Sequence, residues 1–363
     1  MVERIYLDYQ ATTPLAPEAL EAMLPWLSDK HANPHSSHSA GREAAAMISL
    51  ARDRVAALMP PGGQVLFTGG ATEAINMAVH SVCGVNGRAA YSAIEHAAVI
   101  DAINGHAAEA KHAVIPVSAD GVANMAAAEA MIDQSYALVA TMLVNNEIGT
   151  IQPVAELADM AHQAGALMLC DAVQGYGRVD IPDNVDLVTI SAHKVHGPKG
   201  IGALWVRDGI ELSPLLYGGG QEQEVRSGTL SPALCVGFGV AAKLVAERRE
   251  DDAAHVTRLA ALAREQFADW IINGSSEQRY PGNLNIRKEG LDVARLMSEV
   301  RSVAFSAGSA CASGSGRPSH VLSALGLPRE QITSSIRLGF GRYTGDNEII
   351  RAAEMINAAA LAQ

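Results

Sequence analysis

Lys194 stands in Ser-Ala-His-Lys-Val-His-Gly-Pro-Lys-Gly-Ile-Gly, residues 191–202, twenty-three residues after the start of an Asp171-Ala-Val-Gln174 run. Each follows a short apolar run, Leu187–Ile190 and Ala166–Cys170, of the kind that makes a buried strand, so the two side chains are expected at one edge of a sheet. A lysine amine condenses with an aldehyde to a Schiff base and, once released, moves protons as a general base. A nearby carboxylate keeps a pyridine nitrogen protonated. Read alone, Lys194 and Lys199 equally suit a solvated Gly/Pro loop.

The neighbouring motifs narrow the choice. Phe67-Thr-Gly-Gly-Ala-Thr-Glu-Ala-Ile-Asn76 reads as a strand end, a glycine turn and a helix start. Backbone amides around Ala71 and Thr72, with the Thr72 hydroxyl, suit a phosphate there, although the same pattern makes an ordinary helix cap. Glu95-His96 follows another strand, where the His96 imidazole suits stacking on a planar ring or a structural role. Asn145-Asn146 offers two amides for a ligand or for a turn. Gln174 could donate to a ring oxygen, and Ser191 and His193 could reach a phosphate. Arg337, in Ser-Ser-Ile-Arg-Leu-Gly-Phe-Gly, has the fork that holds a carboxylate, and a structural salt bridge is its alternative. The strand-end motifs lie where open α/β sheets bind ligands. Lys194 and Asp171 are the two groups that pyridoxal 5'-phosphate needs from its protein. Cys311, in Ser306-Ala-Gly-Ser-Ala-Cys-Ala-Ser-Gly-Ser-Gly-Arg317, has only small neighbours and reads as a loop that presents a thiol.

Positioning these groups requires alternating strands and helices. Val65–Thr68, Arg88–Ser92, residues 112–116, Leu138–Leu143, Leu167–Cys170, Leu187–Ile190 and Gly202–Val206 read as strands, with helices such as Ala71–Val82 and Val154–Ala164 between several of them. That order predicts an α/β fold with a large, mainly parallel sheet covered by helices. After Ser231 one long helical stretch is expected, charged from Glu247 to Arg264. Strands Asn283–Arg287 and Ile336–Gly339 and helices Val293–Val300 and Asn347–Leu361 then suggest a smaller α+β domain. The expected division is a large domain over residues 15–250, and a small one from residues 1–14 and 251–363 that carries the cysteine loop.

A chain of 363 residues exceeds the size at which one core usually stops growing, which agrees with two domains. The net charge of −12 argues against general nucleic-acid binding. No apolar run reaches membrane-spanning length and the first residues lack a signal-peptide layout, so a cytoplasmic protein without membrane contact is expected. Cys83, Cys170 and Cys235 lie in apolar runs, without metal-type spacing, and are expected in the core.

Taken in order, these residues resemble the cysteine desulfurases of the class V aminotransferase family. The resemblance runs through Tyr6–Pro14, Asn33–Ser36, Gly70–Glu73, Glu95-His96, Asn145–Gly149, Asp171–Gln174, the Lys194 segment, Arg226–Thr229, the Cys311 loop and Ser335–Arg337. It implies a fold-type I pyridoxal phosphate-dependent transferase, a homodimer in which Thr229 reaches the phosphate of the neighbouring subunit's cofactor. It also implies conversion of L-cysteine to L-alanine. Arg337 and Asn146 would hold the substrate carboxylate, Lys194 would move the α-proton, and His96 would stack on the ring. Cys311 would take the sulfur as a persulfide, for an acceptor such as an iron–sulfur scaffold protein. Selenocysteine lyase, C–S β-lyase and aminotransferase are the alternatives on the same fold. The chain departs from the pattern at Glu224, where glycine is usual, at Gln10, where Asn or Ser is commoner, and at Ala307 and Ala312, where hydroxyl residues often flank the cysteine. It ends at Gln363, where larger relatives continue into a tail that helps dock the scaffold.

Overall fold

The computed structural model describes residues 4–84, 87–106, 112–308 and 318–363. Cys311 and Ala312 lie outside the described residues. Among those described, seven strands form the large sheet, in the order Gly63–Thr68, Gly202–Arg207, Leu187–Ser191, Leu167–Asp171, Tyr136–Met142, Arg88–Ser92, His112–Ile115. Gly202–Arg207 runs antiparallel to both neighbours and the other pairings are parallel. Side chains alternate between two apolar layers, as a strand's two-residue period requires. Val65, Phe67, Val139, Met168, Cys170, Val188 and Trp205 face one layer. Leu66, Leu138, Ala140, Leu169, Leu187 and Leu204 face the other. Burial on both faces explains the near-continuous apolar runs in these strands.

Helix Ala71–Cys83 lies on one face and buries Ala74, Ile75, Met77, Ala78 and Val79. On the other face, helix Pro232–Glu247 starts with Pro at its first turn and Ser231 capping the Leu234 N–H. It lies close against helix Ser39–Ala56, because a Cβ at Gly239 would stand 2.6 Å from the Ala51 Cα.

The long helical stretch expected after Ser231 consists of two helices. Pro232–Glu247 ends at Arg248 (φ −109°, ψ 8°) and Arg249–Gln266 follows. The first buries Cys235, Phe238 and Val245 in the large core. The second buries Val256, Leu259 and Ala263 in a separate core with Ile5, Leu7, Leu284, Ile286, Ile336, Leu338 and Ile356. The break arises because its two halves serve different cores. The second core covers a four-stranded antiparallel sheet, in the order Ser306–Ala307, Ser335–Gly339, Asn283–Arg287, Ile271–Ile272. The N-terminal strand Ile5–Tyr6 pairs in parallel with Val303–Ala304 as a separate two-stranded sheet, and its Ile5 is buried in the same core. Cys83, Cys170 and Cys235 are buried, as expected.

Candidate active site

From Arg88–Ser92 the chain moves outward to His112–Ile115, then crosses back to Tyr136–Met142 on the other side. Strand order reverses there, and open α/β sheets bind ligands beyond the carboxyl ends at such a point. His96 follows one of these strands and Asn146 the other. Asp171 ends the next strand and Ser191 the one after. A cavity of about 500 Å³ opens at this edge, lined by Ala71, Thr72, His96, Asn146, Asp171, Gln174, Ser191, His193, Lys194 and Arg337. The structure thus brings together every site residue expected from the sequence except Thr229 and Cys311. Thr229 is exposed and does not line the cavity.

Asp171 is 5% exposed. Burial raises its pKa, against the Val173 N–H bond and the nearby His96 and Lys194 charges. The Val173 N–H donates to Oδ1 at 2.9 Å. His96 accepts the Ala98 N–H on Nδ1 at 3.1 Å. Burial lowers its pKa, opposed by the Asp171 charge and reinforced by the Lys194 charge. His193 is pushed down to about 4 by burial and by Lys194 and Lys199.

Lys194 sits on a single 3₁₀ turn, Ala192–Lys194, directly after the strand Leu187–Ser191. Its Nζ donates to the carbonyls of Gln10 and Ala11. Gln174 Nε2 donates to the same Gln10 carbonyl at 2.9 Å, so in this arrangement the Gln174 amide is turned toward the main chain. Gln10 and Ala11 were not singled out as site residues by the sequence reading. Only the Tyr6–Pro14 segment hinted at them, since a backbone carbonyl carries no side-chain signature.

The anion cradle has a defined set of donors. The Gly69 N–H is taken by Glu73 Oε2 at 2.7 Å, and Glu73 also pairs with Arg226 at 2.7 Å. The first amides of the following helix, those of Ala71 and Thr72, have no helical acceptor and carry the positive end of its dipole. Gly202 holds the cradle against the sheet, because a Cβ there would meet Gly70 main-chain atoms at 2.8 Å.

Arg337 is 1% exposed. Its Nη2 pairs with Asp8 at 2.7 Å and contacts Ser306 Oγ at 3.3 Å, and its Nη1 donates to the Asn146 carbonyl at 3.1 Å. Its Nε is buried without a hydrogen-bond partner among the described residues. Asp8 was missed because it lies 329 residues away in sequence. Glu95 was named only as the neighbour of His96, yet it is wholly buried, with Oε1 accepting the Met142 N–H at 2.8 Å.

These residues fit pyridoxal phosphate. A glycine-held amide cradle matches its phosphate, a buried carboxylate its pyridine nitrogen, a lysine its aldehyde, and an incompletely satisfied arginine the carboxylate of an amino acid. A second cavity of about 210 Å³ lies between the two cores, beside Arg178, Arg279 and Tyr280, and none of the expected site residues lines it.

Comparison with known proteins agrees with this geometry. The family model for Aminotransferase class-V matches residues 5–351. Cysteine desulfurase IscS of Rickettsia bellii (strain OSU 85-389) is 40% identical over 97% of this chain and 90% of its own length. The protein of the same name from Rickettsia felis (strain ATCC VR-1525 / URRWXCal2) is 39% identical over the same shares. Among solved structures, a NifS-like protein from Rickettsia africae ESF-5 superposes with a TM-score of 0.89 at 30% identity, over 98% of this chain and 100% of that one. SspA in complex with cysteine superposes with a TM-score of 0.81 at 32% identity, over 94% and 99%. The chain belongs to the class V aminotransferase family and, within it, to the cysteine desulfurases.

Proposed function

We propose that this cysteine desulfurase uses pyridoxal 5'-phosphate held at Lys194 to convert L-cysteine to L-alanine, passing the sulfur to Cys311 as a persulfide. The observation that carries the proposal is the meeting of Asp171, Lys194, His96 and Arg337 around one cavity at the switch point of the sheet. When bound, the cofactor supplies an electron sink that makes the substrate α-proton acidic and activates its side chain.

The chain's own residues do the rest. Ala71, Thr72, Ser191 and His193 would hold the phosphate, and the Asp171 carboxylate would keep the ring nitrogen protonated. Gln174 would hydrogen-bond the ring oxygen and His96 would cover the ring face. Arg337, with Asn146, would fix the substrate carboxylate and so orient the Cα–H bond toward the Lys194 amine. The Cys311 thiolate would bond to the substrate sulfur as that sulfur leaves its carbon, and the carbon would keep the electron pair and take up a proton. Overall, one thiol and one cysteine become one persulfide and one alanine, with no outside oxidant.

A homodimer belongs to the same proposal, with Thr229 serving the partner's cofactor, and it is supported by Thr229 being exposed and outside its own chain's cavity. So does a sulfur-acceptor protein, such as an iron–sulfur scaffold, in keeping with relatives named cysteine desulfurase IscS. No described helix is long and apolar enough to cross a membrane, and a cytoplasmic location is proposed with the rest. The division into a large domain over residues 15–250 and a small one from residues 1–14 and 251–363 is supported by the separate apolar cores.

Borohydride reduction of the cofactor-loaded chain, followed by peptide mass spectrometry, tests the cofactor assignment. The cofactor's mass is expected on the peptide that contains Lys194. Finding it on another lysine, or on none, would remove the basis of the proposal.

A further inference from the structure

Glu147 and Ser319 come from segments 172 residues apart and are 3% and 1% exposed. The Ser319 hydroxyl donates to Glu147 Oε2 at 2.5 Å, while its oxygen accepts the Leu322 N–H at 3.0 Å. One hydroxyl therefore starts the helix His320–Ala324 and fastens it to the loop that carries Asn146. Next to it, His320 Nε2 stands 2.8 Å from the carbonyl of Glu95, the residue before His96. Beneath these bonds Ile94, Ile148, Val321, Leu322 and Leu325 share an apolar cluster of their own. The loop side is itself braced. Asn145 Oδ1 accepts the Glu147 and Ile148 N–H groups, and Asn145 Nδ2 donates to the Ile94 carbonyl at 2.8 Å.

The chain is also held on the N-terminal side of the cysteine. Ser306 Oγ donates to Asp8 Oδ1 at 2.9 Å, and the Gly308 N–H donates to the Ser335 carbonyl at 2.8 Å. Cys311 comes three residues after Gly308 and eight before Ser319 in the sequence.

Resting on the desulfurase reading above, we propose that Ser319, acting through Glu147, is a positioning residue for sulfur transfer. It fixes, relative to His96 and Asn146, the described segment that follows Cys311 in the sequence. Glu147 is well suited to the task, because its main-chain N–H and carbonyl are tied to Asn145 and Asn285. Its buried carboxyl then has a hydroxyl to accept from, as a buried polar group requires.

The test compares the cofactor-loaded parent with Ser319→Ala and Ser319→Thr. Four quantities are read: melting temperature, cofactor absorbance, KM and kcat for alanine formation, and the single-turnover rate at which persulfide appears on Cys311 by mass spectrometry. Ser319→Ala is expected to slow persulfide formation and kcat about tenfold, with KM within about twofold of the parent and absorbance unchanged. Ser319→Thr, which keeps the hydroxyl, is expected to restore most of the rate. Should Ser319→Ala fail to fold, Glu147→Gln, which takes the charge out of the same bond, is read in its place, with slower persulfide at unchanged KM expected.

A parent that forms persulfide and a Ser319→Ala variant equally fast, whatever its melting temperature, overturns the inference alone. So does a threonine variant as slow as the alanine one, since that places the effect in packing. A parent that makes alanine without persulfide on Cys311 overturns the underlying reading and this inference with it.

Discussion

Replacing Gly202 by alanine probes the anion cradle without touching any side chain that would meet the cofactor. Gly202 is buried at the start of its strand, and a Cβ there would stand 2.5 Å from the Ile190 carbonyl oxygen and 2.8 Å from Gly70 C and Cα. All three are main-chain atoms and cannot rotate away. Reaching the 3.4 Å of an ordinary contact requires Gly202 and the glycine turn to part by about 0.6 Å, and Gly202 and the Ile190 carbonyl oxygen by about 0.9 Å, in a close-packed interior. Overpacking of this kind costs about 1–3 kcal/mol. Ile190 is held in the sheet by its pairing with Ala203, so Gly202 shifts away from its carbonyl while the turn at Gly70 gives way to the new Cβ, and the amides of Ala71 and Thr72 move with that turn. Losing one charge-assisted hydrogen bond costs about 1.5–3 kcal/mol, or roughly 10- to 150-fold in affinity. The assay strips the cofactor, confirms folding by circular dichroism, and titrates pyridoxal 5'-phosphate by absorbance into parent and variant. A Kd within about twofold of the parent, in a variant with a lowered melting temperature, would show that the phosphate does not sit on these amides.

Two further substitutions test the electrostatics and the backbone. Burial and the Asp171 charge raise the Glu95 pKa well above 4.5, so its contribution to stability is fully present below 4.5 and lost as pH climbs through the raised value. Glu95→Gln keeps an acceptor for the Met142 N–H and removes the titration. Its melting temperature should therefore gain on the parent's as pH rises, by up to about 1.4 kcal/mol of stability per pH unit, and a gap that is the same at acid and neutral pH contradicts this. Glu222, Gln223 and Glu224 run consecutively at φ 45°, 60° and 65°, where a side chain costs about 1–2 kcal/mol each. Glu224→Gly should raise stability by about 0.5–1 kcal/mol after the entropy of glycine is counted, and a differential scanning trace with an unchanged or lower melting temperature speaks against it.

What could be read from the sequence followed from local rules. Asp171 and Lys194 each come at or just after the end of an apolar run, so strand periodicity and the strand-end rule together place both at one edge. The same reasoning located His96, Asn146 and the glycine turn before Ala71. Tertiary partners left no such trace. Arg337 finds Asp8 only because the N-terminal segment lies beside the strand Ser335–Gly339, joined by an Asp8–Gly339 bridge. Lys194 is held by two main-chain carbonyls, which every residue possesses. The break at Arg248 carries neither glycine nor proline, and arises from which core each half-helix meets. The left-handed run at 222–224 had only an indirect signal, glutamate in place of a usual glycine at 224, because the ion pair of Glu222 with Arg52 and its bond to the Phe67 N–H are long-range.

The central claim is tested most directly by giving L-cysteine and a reductant to the cofactor-loaded parent and to Cys311→Ala, and measuring alanine. The account predicts that the parent forms alanine, while the variant keeps its cofactor absorbance and forms almost none. A variant that forms alanine as fast as the parent would make Cys311 a bystander and contradict the persulfide mechanism.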